Sequence, residues 1–458
     1  MNPDTDLRRI ARASLEAVDP RAIVTRSVRI DGNTLRVQTR DARRDFDLSR
    51  FQKIFVMGFG KAAGPMAQAM EDVLGPRIDK GLIVVKPGRE QNSSELVVAL
   101  QRIRQVPGDH PVPGEHSVRA AAEIAAMADE ADAHTLVIVL VSGGGSSLLS
   151  APMRQRISRL TLADIQETTR QLLACGAAIG EMNCIRKHLL LLAGGRLAQR
   201  IAPATSVSLV LSDVVGDDLQ TIASGPTSPD STTYGRALSI ISHYGIGSTL
   251  PRPVMDMLEE GAAGEIPETP KTGAPELSTA SHLLIGTNLL ALKSGADEAR
   301  RLGYNTLILT SRMTGEAREA ARLLAAVARD VAAAGLPCAR PACLLAGGET
   351  TVIVRGKGKG GRNQELAAAF LLEMENEPAL LSGTHVLSFS TDGEDGPTDA
   401  AGGFARVSLT ETAKALGLSI QDSLQRNDSY TLLKKLDALF ITGQTGTNVC
   451  DIQITLVV

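Results

Sequence analysis

The run Thr135-Leu136-Val137-Ile138-Val139-Leu140-Val141, followed at once by Ser142-Gly143-Gly144-Gly145, constrains the fold more than any other stretch. It has no polar face to turn to water, so a strand here must be covered on both sides. A parallel sheet with helices on each face gives that cover. The pattern recurs. Lys53–Met57 is a short apolar strand running into Gly58-Phe59-Gly60-Lys61 and the helical pattern Ala62–Val73. Leu82–Val85 and Val207–Leu211 are further strands, the last stopping at Ser212-Asp213, and Ala-rich helical segments lie between them. The class is α/β, with a parallel sheet in the first half.

Three divisions follow from composition along the chain, and 458 residues leave room for two or three domains. Residues 1–244 form the first domain, opening with an amphipathic helix over Leu7–Val18. From 245 to 281, Pro251, Pro253, Pro267, Pro270, Pro275 and several glycines surround one helical piece, Met255–Glu260, which predicts a linker. Residues 282–458 form a smaller mixed α/β domain. Its strands are expected at 282–285, 305–310, 342–346, 350–355, 384–390, 438–442 and 451–458, with some antiparallel pairing.

Composition removes several classes of function. The formal net charge is −3, so no global basic field recruits nucleic acid. No apolar run approaches the ~18 residues of a membrane span, and the polar start Met1–Asp6 leads into no signal-peptide core. The five cysteines, Cys175, Cys184, Cys338, Cys343 and Cys450, form no C-x-x-C pair, which suits a reduced compartment. These features predict a cytoplasmic protein.

The candidate chemistry sits in small polar loops at strand ends. Gly356-Lys357-Gly358-Lys359-Gly360-Gly361-Arg362 leads into the apolar helical run Leu366–Leu372. Glycines let backbone amides approach an anion, a helix start adds positive potential, and Lys357, Lys359 and Arg362 add charge. The loop does not match the Walker A pattern. Gly58-Phe59-Gly60-Lys61-Ala62-Ala63-Gly64 joins a strand to a helix, but its glycine spacing departs from the dinucleotide fingerprint. Lys61 near a helix start is unfavourable unless an anion joins it. Ser142, Gly143, Gly144, Gly145, Ser146 and Ser147 leave the carboxyl end of a strand and can form an anion nest, or simply a tight turn.

Acids follow the same logic. Asp213, with Asp217 and Asp218, stands at a strand end and could position Mg²⁺ or cap a helix. Asp392 lies in the acid-rich loop Ser390–Asp399, which has no EF-hand spacing. His110, in Gly108-Asp109-His110-Pro111, has no second histidine at metal-ligand spacing and reads more readily as structural. The Ser-rich loop lacks a nucleophile elbow, which argues against a hydrolase triad. Cations, donors and acids at strand ends are the mixture phosphoryl transfer needs.

With these segments assembled, the chain resembles the glycerate 2-kinase family, whose C-terminal portion is the MOFRL domain. The matching stretches are Met57–Ala63, Gly108–Pro111, Ser142–Ser147, Leu211–Val214, Gly347-Gly348-Glu349-Thr350, Gly360–Glu365, Thr391–Gly393 and Thr442–Asn448. The resemblance implies a Rossmann-like N-terminal domain, a MOFRL region at about 340–455, and an active site in the cleft between domains. It implies Mg²⁺- and ATP-dependent phosphorylation of D-glycerate at its 2-hydroxyl to give 2-phosphoglycerate, with Lys61 and Arg362 catalytic. Glu349 and Asn363 fall in matching stretches and join Asp213 and Asp392 as substrate or metal candidates. Two alternatives stay open: an NAD(P)H-dependent hydroxypyruvate reductase, and a non-catalytic regulator that binds a phosphate ligand. The reductase would want an acid after the strand 82–85, where Lys86 stands.

Overall fold

The computed structural model describes residues 2–86, 99–153 and 160–458. They divide into two compact units. One comprises Ile23–Ser212 and Asp217–Ile285; the other comprises Met1–Ala22, Asp213–Gly216 and Gly286–Val458.

The first unit is built on a six-stranded sheet. Its strands are β1 (Lys53–Phe59), β2 (Lys80–Val85), β3 (Ile103–Pro107), β4 (Thr135–Val141), β5 (Thr205–Leu211) and β6 (Ala280–Gly286), in the spatial order β3-β2-β1-β4-β5-β6. β1 pairs in parallel with both β2 and β4, in the register Lys53↔Thr135 to Phe59↔Val141. Every residue of β4 is buried, as its unbroken apolar sequence requires. The order reverses between β1 and β4, which places their carboxyl ends at the switch point where open α/β sheets take ligands. A separate antiparallel sheet is formed by 28–31, 34–38 and 43–47.

The expected linker over 245–281 is instead part of this unit. Residues 252–262 form a helix whose Val254, Met257 and Leu258 join a core with Tyr234, Ile240, Ile185 and Ile266. Its proline sits in the first helical turn, where a missing N–H has no intrahelical acceptor to lose, so it opens the helix rather than breaking the chain. Residues 280–286 then complete the sheet.

The second unit takes both ends of the chain, a further departure from the expected 1–244 domain. Helix α1 (Pro3–Ala17) buries Leu7, Ile10 and Ala11 and packs on helix α2 (Asn288–Arg301). Tyr304 donates to Asp6 Oδ2 at 2.9 Å, and the Ser294 hydroxyl donates to the Ala13 carbonyl at 3.1 Å. The unit's sheet contains β7 (Asn305–Met313), β8 (Ala342–Gly348), β9 (Thr384–Ser390), β10 (Gly402–Arg406), β11 (Leu439–Phe440) and β12 (Asp451–Val457), ordered β7-β8-β12-β9-β10-β11. Only β7 and β8 pair in parallel; the remaining pairs are antiparallel. The mixed layer expected from the sequence is therefore present. Residues 350–355 are not a strand. Thr351 makes one bridge to Glu316, and Ile353 and Val354 stay 56% and 73% exposed. Their β-branched character fits a strand, but no neighbouring edge takes up their backbone groups. Among the described residues no helix is long and apolar enough to cross a membrane.

Candidate functional site

In the parallel-sheet unit, two strand-end loops are laced together. The Lys61 amide donates to the Gly143 carbonyl at 2.9 Å, the Ala62 amide to Ser142 Oγ at 3.1 Å, and the Ser142 amide to the Phe59 carbonyl at 3.2 Å. Gly60 has φ +119°, and a Cβ there would strike the Ser142 hydroxyl. The glycine of this stretch thus serves the approach of one loop to the other.

Lys61 is exposed, and its stem runs beside Gly144. A Cβ on Gly144, whose φ is +82°, would lie 3.4 Å from Lys61 Cγ and 3.2 Å from the Cδ2 and Nε2 atoms of His110. The histidine left as structural by the sequence therefore shares one glycine with the candidate catalytic lysine. The Ser147 hydroxyl ties the loop to the Pro111 carbonyl at 2.8 Å. The amides of Gly143, Gly144 and Gly145 meet no acceptor among the described residues, and a left-handed Gly144 turns successive amides into a concavity suited to an anion.

Burial pushes the His110 imidazole down to about 4, and the charges of Lys61 and Lys86 act in the same direction. The ring is neutral at pH 7. The unfolded value is about 6.5, so the unfolded chain binds more protons between that value and the folded one; this contribution to stability is lost as pH falls through that window. A titration of His110 by NMR should give a value near 4, and inorganic phosphate should raise it by compensating the local positive charge. A value that ignores phosphate would separate His110 from any anion site.

In the mixed-sheet unit, Arg362 opens helix α3 (Arg362–Asn376) but is not a free cation. Its Nε and Nη2 donate to the two carboxylate oxygens of Asp451 at 2.6 and 2.9 Å, a fork-to-fork pair, and its Nη1 meets Glu349 at 2.9 Å. Asp451 is fully buried at the start of the central strand β12, where burial pushes its carboxyl up to about 7 against the pull of Arg362. Burial opposes charge on Arg362 as well, yet Asp451 and Glu349 outweigh it and hold the guanidinium above its usual value. Asp213 belongs to this unit too. Its carbonyl accepts from Cys450 Sγ at 3.1 Å, and burial followed by the charges of Glu349, Asp451 and Asp213 pushes that thiol up. Asp213, Glu349 and Asp451 thus gather with Arg362 around Cys450, which the sequence did not predict.

The open, anion-binding helix start expected at 356–365 is absent, because a carboxylate already holds it. Asp395, buried, accepts from the Asn363 amide at 3.1 Å, the Gln364 amide at 2.9 Å and Gln364 Nε2 at 2.9 Å. The loop glycines serve packing on a neighbouring turn. A Cβ at Gly356 or Gly358 would strike the Arg426 carbonyl, and one at Gly360 the Ser429 hydroxyl. Lys359 lies over the Tyr430 ring at 4.4 Å, and Lys357 is exposed. Asn363 is buried and turned inward, accepting from Ser388 Oγ at 2.6 Å. Asp392 accepts from the Ser390 hydroxyl at 2.7 Å and the Glu394 amide at 3.1 Å, as a residue shaping its own loop does. Among the described residues no three His, Cys, Asp or Glu side chains stand together as metal ligands.

Residues 6–259 match the family described as a domain of unknown function, DUF4147, and residues 342–451 match the MOFRL family. The chain is 37% identical over 450 residues to the glycerate 2-kinase of Pyrococcus horikoshii, spanning 98% of this chain and 96% of that one. It is 40% identical over 406 residues to the D-glycerate 2-kinase of Thermotoga maritima, spanning 89% and 91%. The chain belongs to the glycerate kinase family. The crystal structure of a glycerate kinase from Thermotoga maritima aligns with a TM-score of 0.84 at 37% identity, covering 99% of each chain. Within this family the positions raised by sequence now have surroundings: a lysine, a neutral histidine and a glycine nest in one unit, and an arginine held by two acids in the other.

Proposed function

We propose that this protein transfers the γ-phosphoryl group of ATP to the 2-hydroxyl of D-glycerate, giving 2-phosphoglycerate and ADP. The observation that carries the reading is the constellation of Lys61, the Gly143–Gly145 amides and neutral His110 at the switch point of a parallel sheet, in a chain similar over nearly its whole length to glycerate kinases. Phosphoryl transfer asks chiefly for positioning and for positive potential around the moving group. The nest amides, with Ser142, Ser146 and Ser147 nearby, would hold nucleotide phosphates, and the Lys61 ammonium would lie against the transferring group. His110, uncharged, can accept the hydrogen bond of the attacking hydroxyl. In the mixed-sheet unit Arg362 is the cation that the family resemblance assigns to catalysis. Asp451 fixes its orientation through Nε and Nη2, and Nη1 is the donor for which a phosphoryl oxygen would compete with Glu349. Mg²⁺ would enter with the nucleotide. It favours substrate phosphates plus one or two carboxylates, a number Asp213 or Asp392 could supply without a preformed cluster.

Lys61→Ala is expected to lower turnover by about 10²–10³-fold, the effect of removing one preorganised donor from a developing charge. The check is ADP release with D-glycerate and MgATP, coupled through enolase without a mutase so that only the 2-phosphate is read. Unchanged turnover would remove Lys61 from the chemistry. The same protein given hydroxypyruvate and NADH or NADPH should leave the reduced cofactor unconsumed, since β2 runs into Lys86 where a ribose-binding acid would stand.

A further inference from the structure

Helix Ile179–Leu189 carries three buried or half-buried basic side chains in succession, Arg186, Lys187 and His188. Two have carboxylate neighbours: Lys187 meets Asp230 at 3.2 Å, and His188 meets Glu268 at 3.3 Å. Arg186 has none among the described residues. Its Nη2 donates to the Ser146 carbonyl at 3.2 Å, and its Nε is enclosed with no acceptor. Burial pushes this guanidinium down, and among the described residues no charged neighbour offsets it. An enclosed cation without a counter-charge is strongly unfavourable unless an anion joins it.

The surroundings are built around that cation. Asn183, three residues earlier, lies on the same helix face. Ser146 Oγ pairs with Ser224 Oγ at 2.8 Å, and Ser224 Oγ lies 3.5 Å from Asn183 Oδ1. Ala223 and Ser224 hold left-handed backbone, with φ of +51° and +62°, a strain that places Ser224 against Ser146. Gly144 and Ser146, two residues apart, are separated by at most about 7 Å. Arg186 and Lys61 thus approach the same loop at neighbouring points, through Ser146 and Gly144 respectively.

We propose that Arg186 binds the carboxylate of the hydroxy-acid substrate, with Asn183 and Ser224 completing the receptor. This rests on the kinase reading and adds the residue that selects an acid over a neutral polyol. A single planar guanidinium matches one carboxylate in shape and charge, whereas a nucleotide polyphosphate asks for more cations. In a 2-hydroxy acid the reacting oxygen sits on the carbon next to the carboxylate. Anchoring the acid beside Ser146 therefore brings its hydroxyl toward Gly144, Lys61 and His110.

The test is steady-state kinetics of Arg186→Gln and Arg186→Lys, with D-glycerate and with its neutral amide as acceptors. Loss of a charge-assisted bond predicts a KM for D-glycerate raised roughly 100-fold in Arg186→Gln and roughly 10-fold in Arg186→Lys, with the KM for ATP within about 2-fold of wild type. Arg186→Gln should also lose the preference for glycerate over the amide. An unchanged KM for glycerate, or a KM for ATP that rises equally, overturns the assignment. Should Arg186→Gln fail to fold, Arg186→Lys decides by the same criteria. Calorimetric titration of wild type with D-glycerate separates the two readings: binding in the titration together with no ADP release in a parallel assay supplied with MgATP ends the kinase proposal, and the same titration of the variants still decides Arg186.

Discussion

Arg362→Ala is expected to reduce turnover with D-glycerate and MgATP by roughly 10³-fold, the scale on which arginines stabilise phosphoryl transfer. The structure makes this result ambiguous on its own, because the same change strands a buried carboxylate. Asp451 would lose both donors of its fork, and breaking such a pair from one side costs about 3–5 kcal/mol. The two effects separate by pH. Asp451 already sits near 7, above the usual carboxylate value of about 3.9, so its ionisation withdraws stability as pH rises across that window. Without Arg362 its folded value climbs further, so the variant should be most impaired in thermal stability near pH 8 and least near pH 5. The double variant Arg362→Ala/Asp451→Asn, which neutralises the stranded acid, should regain much of the stability and none of the turnover. A double variant that turns over normally would reduce Arg362 to a counter-ion for Asp451.

Asp395→Ala should be the most damaging single change to the mixed-sheet unit. Its carboxylate takes two amides at the start of the helix 362–376 and the Gln364 side chain, in a buried position where water cannot substitute. Loss of a cap together with enclosed, unanswered donors predicts about 3–5 kcal/mol of destabilisation. In a unit of this size that is a fall in Tm of roughly 10 °C, read by calorimetry or circular dichroism. Asp395→Asn, which keeps an acceptor oxygen, should lose less. Equal melting of wild type and Asp395→Ala would mean that another group takes over the helix start.

The parallel sheet was readable because its signal is local. Leu136–Val141 is apolar without interruption, short and rich in β-branched residues, which together read as a strand covered on both faces. The placement of residues 1–22 and 245–281 was not readable, because it depends on partners far away in the chain. Leu7 and Ile10 pattern as a helix face, but only the structure supplies helix 288–301 as what they cover. The prolines at 251 and 253 look like a break and act as a helix start. The glycine–lysine stretch 356–361 misled for a related reason. A glycine that admits an anion and one that admits a neighbouring carbonyl read the same, and here Arg426, Ser429 and Asp395 fill the space. Asp395 lies three residues from Asp392 in one acid-rich loop, and only burial tells the cap from the loop-former. Arg186 follows a plain amphipathic pattern; its lack of a carboxylate neighbour among the described residues is a property of space, not of spacing.

The mixed-sheet unit is assembled from the first and last parts of the polypeptide, and this has a consequence for synthesis on the ribosome. Helix 3–17 leaves the exit tunnel well before residues 288–301, which follow some 270 positions later, on the order of 13–55 s at 5–20 residues per second. Throughout that interval Leu7, Ile10 and Ala11 lack the helix they cover, so this nascent segment presents an oily stripe to chaperones and to other emerging chains while the intervening unit is free to form.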